Sequence, residues 1–288
     1  MRWTPGGQSD DIEDRRDQTG GGGGGFGFGG VRLGIGGIIV LFVLSLIFKT
    51  NFFALLGGGG STPTSSVATA PNPARDEHEK PVVQFVSFVL DDVQKTWTEI
   101  LPEQTGTPYR HAKLVLFRDA TTSGCGNATA ATGPFYCPSD EKVYIDLAFY
   151  DELQRRFGAK GDFAKAYVLA HEIGHHVQKI LGIERQVRRL QQGNPDAANQ
   201  VSVKLELQAD CFAGVWAHST QQRNLLEAGD VESALSAASA VGDDHIQNMT
   251  RGYVQPETFT HGSSQQRMGW FNKGYDSGTV QACNTFTQ

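Results

Sequence analysis

The feature that most constrains the fold of this chain is the run at residues 167–178, Tyr-Val-Leu-Ala-His-Glu-Ile-Gly-His-His-Val-Gln. Its apolar residues recur at helical spacing, which predicts a buried helix. His171 and His175 are four residues apart, so a helix places both imidazoles on one face, where they can bind one metal ion. Glu172 lies about 100° around the helix and would stand beside that ion. A core helix with incidental histidines is the alternative, which the matched spacing disfavours.

An acidic pair further along the chain matches this helix. Glu206 and Asp210 are also four residues apart, and two histidines with one carboxylate form a zinc site whose fourth position stays open. Glu206 would bind zinc, and Asp210 would accept the outer N–H of a ligand histidine. Alone, such a pair would indicate a solvated helix face. Its neighbours predict a buried helix instead, because they are mostly apolar: Ala209, Cys211, Phe212, Val215 and Trp216.

These motifs resemble those of known zinc enzymes. The pattern His171-Glu172-x-x-His175 with Glu206-x-x-x-Asp210 resembles the thermolysin-like (gluzincin) zinc peptidases. Stretches spread over nearly the whole chain resemble a bacterial, membrane-anchored family described as "putative neutral zinc metallopeptidase": residues 1–3, 133–138, 171–178, 206–216 and 260–262. The resemblance implies one Zn²⁺ ion, a zincin-like domain and a peptide or protein substrate.

The resemblance also implies roles for individual residues. Glu172 would act as the general base on water, and thermolysin-like enzymes use a downstream histidine to stabilise the oxyanion. His261 is the candidate, because it lies in a loop before a predicted helix; a loop histidine satisfied by backbone groups is the alternative. An edge strand holds the substrate backbone in such enzymes. Residues 133–136, or the strand that starts at residue 142, would supply it here.

The first 80 residues divide by composition into three parts. Residues 1–30 are charged and then glycine-rich, which predicts a disordered cytoplasmic tail. Residues 31–56 contain an uncharged apolar run at 33–48, a polar interruption at 49–51 and a second apolar run at 52–56, and they predict one transmembrane helix. Arginines precede this run, so the positive-inside rule places the N-terminus in the cytoplasm and the domain outside the bacterial inner membrane. Residues 57–80 predict a flexible linker.

Residues 81–288 should form one domain of the α+β class, with a small sheet before a mainly helical body. Hydrophobic spacing predicts strands at 113–118 and 142–147. It also predicts helices at 82–100, 148–157, 162–180, 184–192, 197–219, 230–249 and 263–273.

The four cysteines favour disulfide bonds, because an even number on the outer side of a membrane is typical of oxidised pairs. Spacing leaves three pairings open. We favour Cys125 with Cys137 and Cys211 with Cys283. A zinc site made of cysteines is disfavoured, since the sequence contains no Cys-x-x-Cys.

Charge and motifs limit the function. The net charge of −6 argues against nucleic acid as a partner. The apolar run at 31–56 indicates that a lipid bilayer is a partner instead. The favoured hypothesis is a membrane-anchored zinc endopeptidase that hydrolyses peptide bonds with a metal-activated water. The alternative is a catalytically silent, zinc-containing membrane protein that binds or assembles other proteins.

Overall fold

The computed structural model describes residues 1–18, 73–158 and 161–287. The described residues contain six strands: β1 (Ile12–Asp14), β2 (Lys113–Phe117), β3 (Ala120–Ser123), β4 (Gly126–Thr129), β5 (Phe135–Cys137) and β6 (Lys142–Asp146). They also contain eight α-helices: α1 (Pro73–Thr105), α2 (Ala148–Phe157), α3 (Asp162–Ile180), α4 (Ile183–Gly193), α5 (Ala198–Gln222), α6 (Asp230–Ala240), α7 (Asp243–Arg251) and α8 (Ser264–Ser277).

Four strands form the sheet, in the order β1-β2-β6-β5. The strands β1, β2 and β6 are parallel, and β5 is antiparallel to β6. Side chains of β2 alternate between two apolar faces, as the period of a strand requires. Leu114 and Leu116 join the main core, whereas Val115 and Phe117 pack with Tyr144 on the other face. The strands β3 and β4 form a separate hairpin.

Helix α3 lies at the centre of the helical body and contacts α1, α5 and α6. It is buried on nearly every face, as expected for a helix whose neighbours surround it. Aromatic side chains from three elements fill the space around it: Trp97 of α1 packs edge-on against Phe212 of α5, and Phe163 of α3 stacks on Trp216 of α5. The sheet meets this body through α1 and β5.

Helix α8 lies directly against α5 because both helices have glycine where they meet. A Cβ atom added to Gly274 would stand 1.9 Å from the carbonyl oxygen of Cys211. One added to Gly214 would stand 2.1 Å from the carbonyl oxygen of Phe271. No side chain fits at either distance, so glycine sets how closely the two backbones approach.

The α+β expectation is confirmed, with a small sheet and a mainly helical body. One predicted helix is divided: residues 230–249 form α6 and α7, which are separated at Gly242. A Cβ atom at Gly242 would lie 2.4 Å from the backbone nitrogen of Ser264. The chain therefore bends where the start of α8 contacts it, and hydrophobic periodicity carries no signal for such a contact.

The structure corrects two boundaries near the N-terminus. Residues 1–18 were expected in a disordered tail, but they pack on the domain and supply β1. Residues 73–80, expected in the linker, form the first turns of α1. The low hydrophobicity of both stretches hides this, because polar side chains make many of their contacts.

The remaining parts of the tail and linker, residues 19–30 and 57–72, lie outside the described residues, as does the apolar run at 31–56. Of the helices within the described ranges, none has an apolar stretch long enough to cross a bilayer.

Candidate metal centre

The candidate site forms where α3 and α5 approach each other closely. A Cβ atom at Gly174 would lie 3.0 Å from the carbonyl oxygen of Ala209, so glycine between the two histidines permits the approach. The side chains of His171 and His175 on α3 therefore meet Glu206 on α5. Residues 30 positions apart or more are brought together by one helix contact.

The spacing of these side chains suits a metal ion. His171 Nε2 lies 3.2 Å from Glu206 Oε2, and His175 Nε2 lies 3.6 Å from Glu206 Oε1. One ligand atom from each residue falls within 4.8 Å of the other two. Tetrahedral zinc with bonds of about 2.0–2.2 Å separates its ligand atoms by about 3.3 Å. The observed distances are close to that separation, so the three residues fit a zinc ion.

Both histidines are oriented by hydrogen bonds to their other ring nitrogen. His171 Nδ1 donates to Asp210 Oδ1 at 2.8 Å, and His175 Nδ1 donates to Gln178 Oε1 at 2.8 Å. Each Nε2 lone pair is then free to bind a metal ion. The role of Asp210 was expected from the sequence, whereas that of Gln178 was not. Its position three residues after His175, on the same side of the helix, was the available signal.

Asp210 is itself held by two groups that the sequence did not indicate. Arg267 of α8 donates to both of its carboxylate oxygens, from Nε and Nη2, at 2.9 Å each. The hydroxyl of Tyr167 donates to Oδ1. Burial alone would raise the pKa of Asp210, but Arg267 and His171 outweigh it and lower the pKa. Asp210 therefore stays ionised and keeps the outer proton on His171.

The carboxylates of the site stabilise positive charge at the two histidines. Burial lowers the pKa of His171, but the nearby carboxylates of Asp210 and Glu206 outweigh this and raise it to about 9. The pKa of His175 is also raised, because Glu206 outweighs burial. The same histidines hold the pKa of Glu206 well below its usual value despite burial. A divalent cation would supply the positive charge that this cluster stabilises.

Glu172 lies next to the ligands but outside the ligand cluster. Its side chain is buried, and burial raises the pKa of its carboxyl group, although His171 and His175 oppose the shift. A raised pKa suits a base that must take up a proton near neutral pH. Tyr150 of α2 was not anticipated. Its hydroxyl is buried and has no hydrogen-bond partner among the described residues, and its pKa is raised by burial and by the charge of Glu172.

His261 lies in the loop before α8, on a turn built around Asp243. Backbone N–H groups of Thr260, His261 and Gly262 donate to Asp243 Oδ2 at 2.7, 2.6 and 3.0 Å. His261 Nδ1 lies 3.3 Å from Asp243 Oδ1. Burial lowers the pKa of His261, but Asp243 and then Glu206 raise it overall. The charge of Glu206 thus acts on His261, so the histidine lies within electrostatic reach of the three-residue cluster.

Beside helix α3, the sheet has one candidate edge for binding a substrate strand. Strand β6 is hydrogen-bonded on both sides, to β2 and to β5, so the strand from residue 142 cannot accept a substrate strand. Strand β5 is the terminal strand of the four and contacts α3. Tyr136 of β5 donates its hydroxyl to His176 Nδ1 at 2.9 Å, and His176 Nε2 donates to the carbonyl of Arg110 at 2.8 Å. His176 thus fixes β5 to α3.

Both favoured disulfides are present. Cys125 is joined to Cys137 at the end of β5, and Cys211 is joined to Cys283. Cys211 follows Asp210 in α5, and the Gln208 side chain donates to the carbonyl of Cys283 at 2.9 Å. The C-terminal segment is therefore attached to the helix that supplies Glu206.

The fold and the cluster define a class: an α+β protein with a His-Glu-x-x-His helix and a separate carboxylate arranged for one metal ion. The sequence matches the family described as "Putative neutral zinc metallopeptidase" over residues 1–286, and the chain belongs to that family. It is 48% identical over 291 residues to "Uncharacterized protein YpfJ" of Escherichia coli (strain K12), covering 99% of both chains. It is 43% identical over 208 residues, 68% of both chains, to "Uncharacterized protein Rv2575" of Mycobacterium tuberculosis. No solved structure matches the chain.

Proposed function

We propose that this protein is a zinc-dependent endopeptidase. The observation that carries the proposal is the convergence of His171, His175 and Glu206, with ligand atoms within 4.8 Å of one another and Glu172 next to them. Family membership supports the same reaction class. Two imidazoles and one carboxylate leave one position open, which is the arrangement of catalytic zinc sites.

Each residue has a separate task in the proposed reaction. His171, His175 and Glu206 would hold one Zn²⁺, which when bound lowers the pKa of water to about 7 and polarises a carbonyl group. Glu172 would accept the proton of the attacking water and deliver it to the leaving amine. Its buried position favours this, because the raised pKa brings the carboxyl group nearer to working pH.

The substrate carbonyl oxygen gains negative charge as the water attacks. His261 would donate a hydrogen bond to this oxygen, and Asp243 would hold the imidazole by its Nδ1 and by the turn of residues 260–262. Strand β5 would bind the substrate backbone by adding a strand to the sheet. These assignments indicate a peptide or protein substrate in an extended conformation.

The alternative function is a zinc protein without catalysis. A structural zinc site is usually closed by four protein ligands, and the described residues bring together three. The buried Glu172 also has no task in such a site, whereas hydrolysis requires a base at that place. The endopeptidase is therefore the better supported of the two.

We also propose that the protein is attached to the bacterial inner membrane, with the domain outside the cytoplasm. The apolar run at 31–56 supports the attachment. The two disulfides support an oxidising compartment for the domain.

Metal dependence of hydrolysis tests the proposed function. Purified protein is loaded with one equivalent of zinc, stripped with a chelator and then reloaded, and each form is incubated with an unfolded protein and with a broad peptide library. The loaded and reloaded forms should cleave internal peptide bonds, and the stripped form should not. A fully zinc-loaded protein that cleaves none of these substrates would support the non-catalytic alternative.

A further inference from the structure

The hydroxyl of Tyr150 is a buried polar group that the fold leaves without a task. Tyr150 lies on the inner side of α2, is 3% exposed and belongs to the main core. Its hydroxyl has no hydrogen-bond partner within the described part of the chain. A buried donor that stays unpaired destabilises the folded state, so such a group calls for an explanation.

A matching acceptor lies in the candidate metal centre. Glu172 is 8% exposed, and its carboxylate makes no hydrogen bond to any residue that the structure describes. An ionised carboxylate only accepts hydrogen bonds, and the hydroxyl of tyrosine can donate one. A buried donor and a buried acceptor thus each lack the kind of partner that the other would provide.

Helix packing brings the two groups toward each other. Helices α2 and α3 both contact α6, so Tyr150 and Glu172 lie on helices that share one neighbour. Burial, and after it the charge of Glu172, raises the pKa of Tyr150, so the hydroxyl lies within electrostatic reach of the carboxylate. Tyr150 keeps its proton near neutral pH and remains a hydrogen-bond donor.

A general base works only when its carboxylate is oriented. The last torsion of a glutamate side chain is broad, so the carboxylate of Glu172 can rotate unless a neighbour holds it. Misplacing a reacting group by about 1 Å can cost about 10²-fold in rate. A donor on one oxygen of Glu172 would fix the direction of the other.

We propose that Tyr150 is a positioning residue for Glu172. Its hydroxyl donates a hydrogen bond to one carboxylate oxygen, directly or through one bound water, and the other oxygen is thereby held toward the three-residue cluster. Tyr150 touches neither the metal ligands nor the substrate in this assignment. The inference rests on the proposed endopeptidase function and adds to it a residue from a third helix.

The alternative is that Tyr150 only fills the core with its ring. Loss of the hydroxyl would then remove an unpaired polar group and leave the reaction unchanged. The two assignments therefore differ in kcat and in whether the stability effect of the hydroxyl depends on Glu172.

The substitution Tyr150→Phe removes the hydroxyl and keeps the ring. In zinc-loaded protein, kcat for a peptide that the wild type cleaves should fall about 10–100-fold, the usual effect of losing an outer contact of a metal centre. KM and zinc content should match those of the wild type. The matched control is Tyr144→Phe, whose buried ring lies on the other face of the sheet and whose hydroxyl donates to Asp140 at 2.6 Å. Its kcat should be unchanged.

Thermal unfolding detects the contact without hydrolysis. The change in Tm caused by Tyr150→Phe is measured in the wild type and in Glu172→Ala, where the hydroxyl has lost its acceptor. This change should be more favourable in Glu172→Ala by about 2–4 °C, the size expected for one hydrogen bond. Tyr144→Phe should change Tm equally in both backgrounds. Glu172→Leu replaces Glu172→Ala if that variant is poorly produced.

Each outcome decides for or against the assignment. A reduced kcat together with coupled Tm changes supports the positioning role. An unchanged kcat in Tyr150→Phe overturns that role, even if the Tm changes are coupled. A reduced kcat with equal Tm changes also overturns it, because the hydroxyl would then act without Glu172.

Failure of this inference is distinguishable from failure of the proposed function. A zinc-loaded wild type that cleaves nothing would remove the endopeptidase and the role of Tyr150 together. A wild type that cleaves peptides as fast as Tyr150→Phe does would remove the role of Tyr150 alone.

Discussion

The contact between α5 and α8 offers a direct test of how helix packing supports the metal centre. Gly274→Ala places a Cβ atom 1.9 Å from the carbonyl oxygen of Cys211, where real Cβ contacts stay beyond 3.0 Å. Helix α8 would have to move away by about 1 Å, the difference between these distances. Overpacking of this kind costs about 1–3 kcal/mol, more than the roughly 1 kcal/mol that alanine gains over glycine in a helix.

The matched control is Gly269→Ala on the same helix. Gly269 is exposed, and a Cβ atom there meets no atom of the described residues within 4 Å. This variant should gain about 0.5–1 kcal/mol from helix propensity alone. The helix-propensity gain is common to both substitutions, so they should differ by the overpacking cost of about 1–3 kcal/mol, or about 2–12 °C in Tm at 2–4 °C per kcal/mol.

Thermal unfolding of both variants measures this difference, and a zinc competition assay measures its effect on the site. Arg267 lies on α8 and binds Asp210, so displacement of α8 should loosen the support of His171. Gly274→Ala should then bind zinc about 10–100-fold more weakly, the usual effect of losing such outer contacts. Equal stability and equal zinc affinity of the two variants would refute the argument from packing.

Three further outcomes are expected. Burial lowers the pKa of His176 from 6.5 to about 4. As pH falls, the unfolded chain binds the proton first, so the free energy of unfolding decreases between pH 6.5 and 4. Urea unfolding of His176→Gln should show a pH dependence of this free energy that is shallower by up to about 1.4 kcal/mol per pH unit. Isothermal titration should show loss of tight zinc binding in Glu206→Gln and a loss of only about 10–100-fold in Asp210→Asn; the reverse order would make Asp210 the third ligand. Steady-state kinetics of His261→Gln should show kcat reduced about 10²–10³-fold with zinc content unchanged, whereas an unaltered kcat would remove His261 from the reaction.

Much of the site was predictable because its geometry is local to helices. The i, i+4 spacing of His171 and His175 fixes their common face wherever the helix lies. The spacing of Glu206 and Asp210 likewise fixes a ligand and its neighbour on a second helix. Their meeting is a tertiary contact, which the sequence indicated through the ligand chemistry of a zinc site and through family resemblance, and Gly174 is the local residue that permits it.

The supporting residues were not predictable by the same means. Arg267 is 57 positions from Asp210, and no period or motif connects the two. Gln178 offered only its position three residues after His175, and no period or motif in the sequence marks Tyr150. Asp243 was included in one continuous predicted helix, whereas it begins α7 after a break and holds the His261 turn.

The N-terminal segment was misassigned for a physical reason. Residues 1–18 contain few apolar side chains, so hydrophobic patterning indicates disorder. Their stability comes from backbone pairing with β2 and from ion pairs with Arg118 and Asp230. Such contacts depend on partners about 100 or more positions away.

The most direct test of the central claim is the turnover of Glu172→Gln at zinc content equal to that of the wild type. The substitution keeps the size of the side chain and leaves His171, His175 and Glu206 in place, but the amide cannot accept the proton of water. Peptide hydrolysis should fall by at least about 10²–10⁴-fold, with Tm and zinc affinity unchanged. The matched control Glu103→Gln, exposed on α1, should retain full activity. Equal hydrolysis by Glu172→Gln and the wild type would contradict the assignment of Glu172 and the proposed mechanism with it.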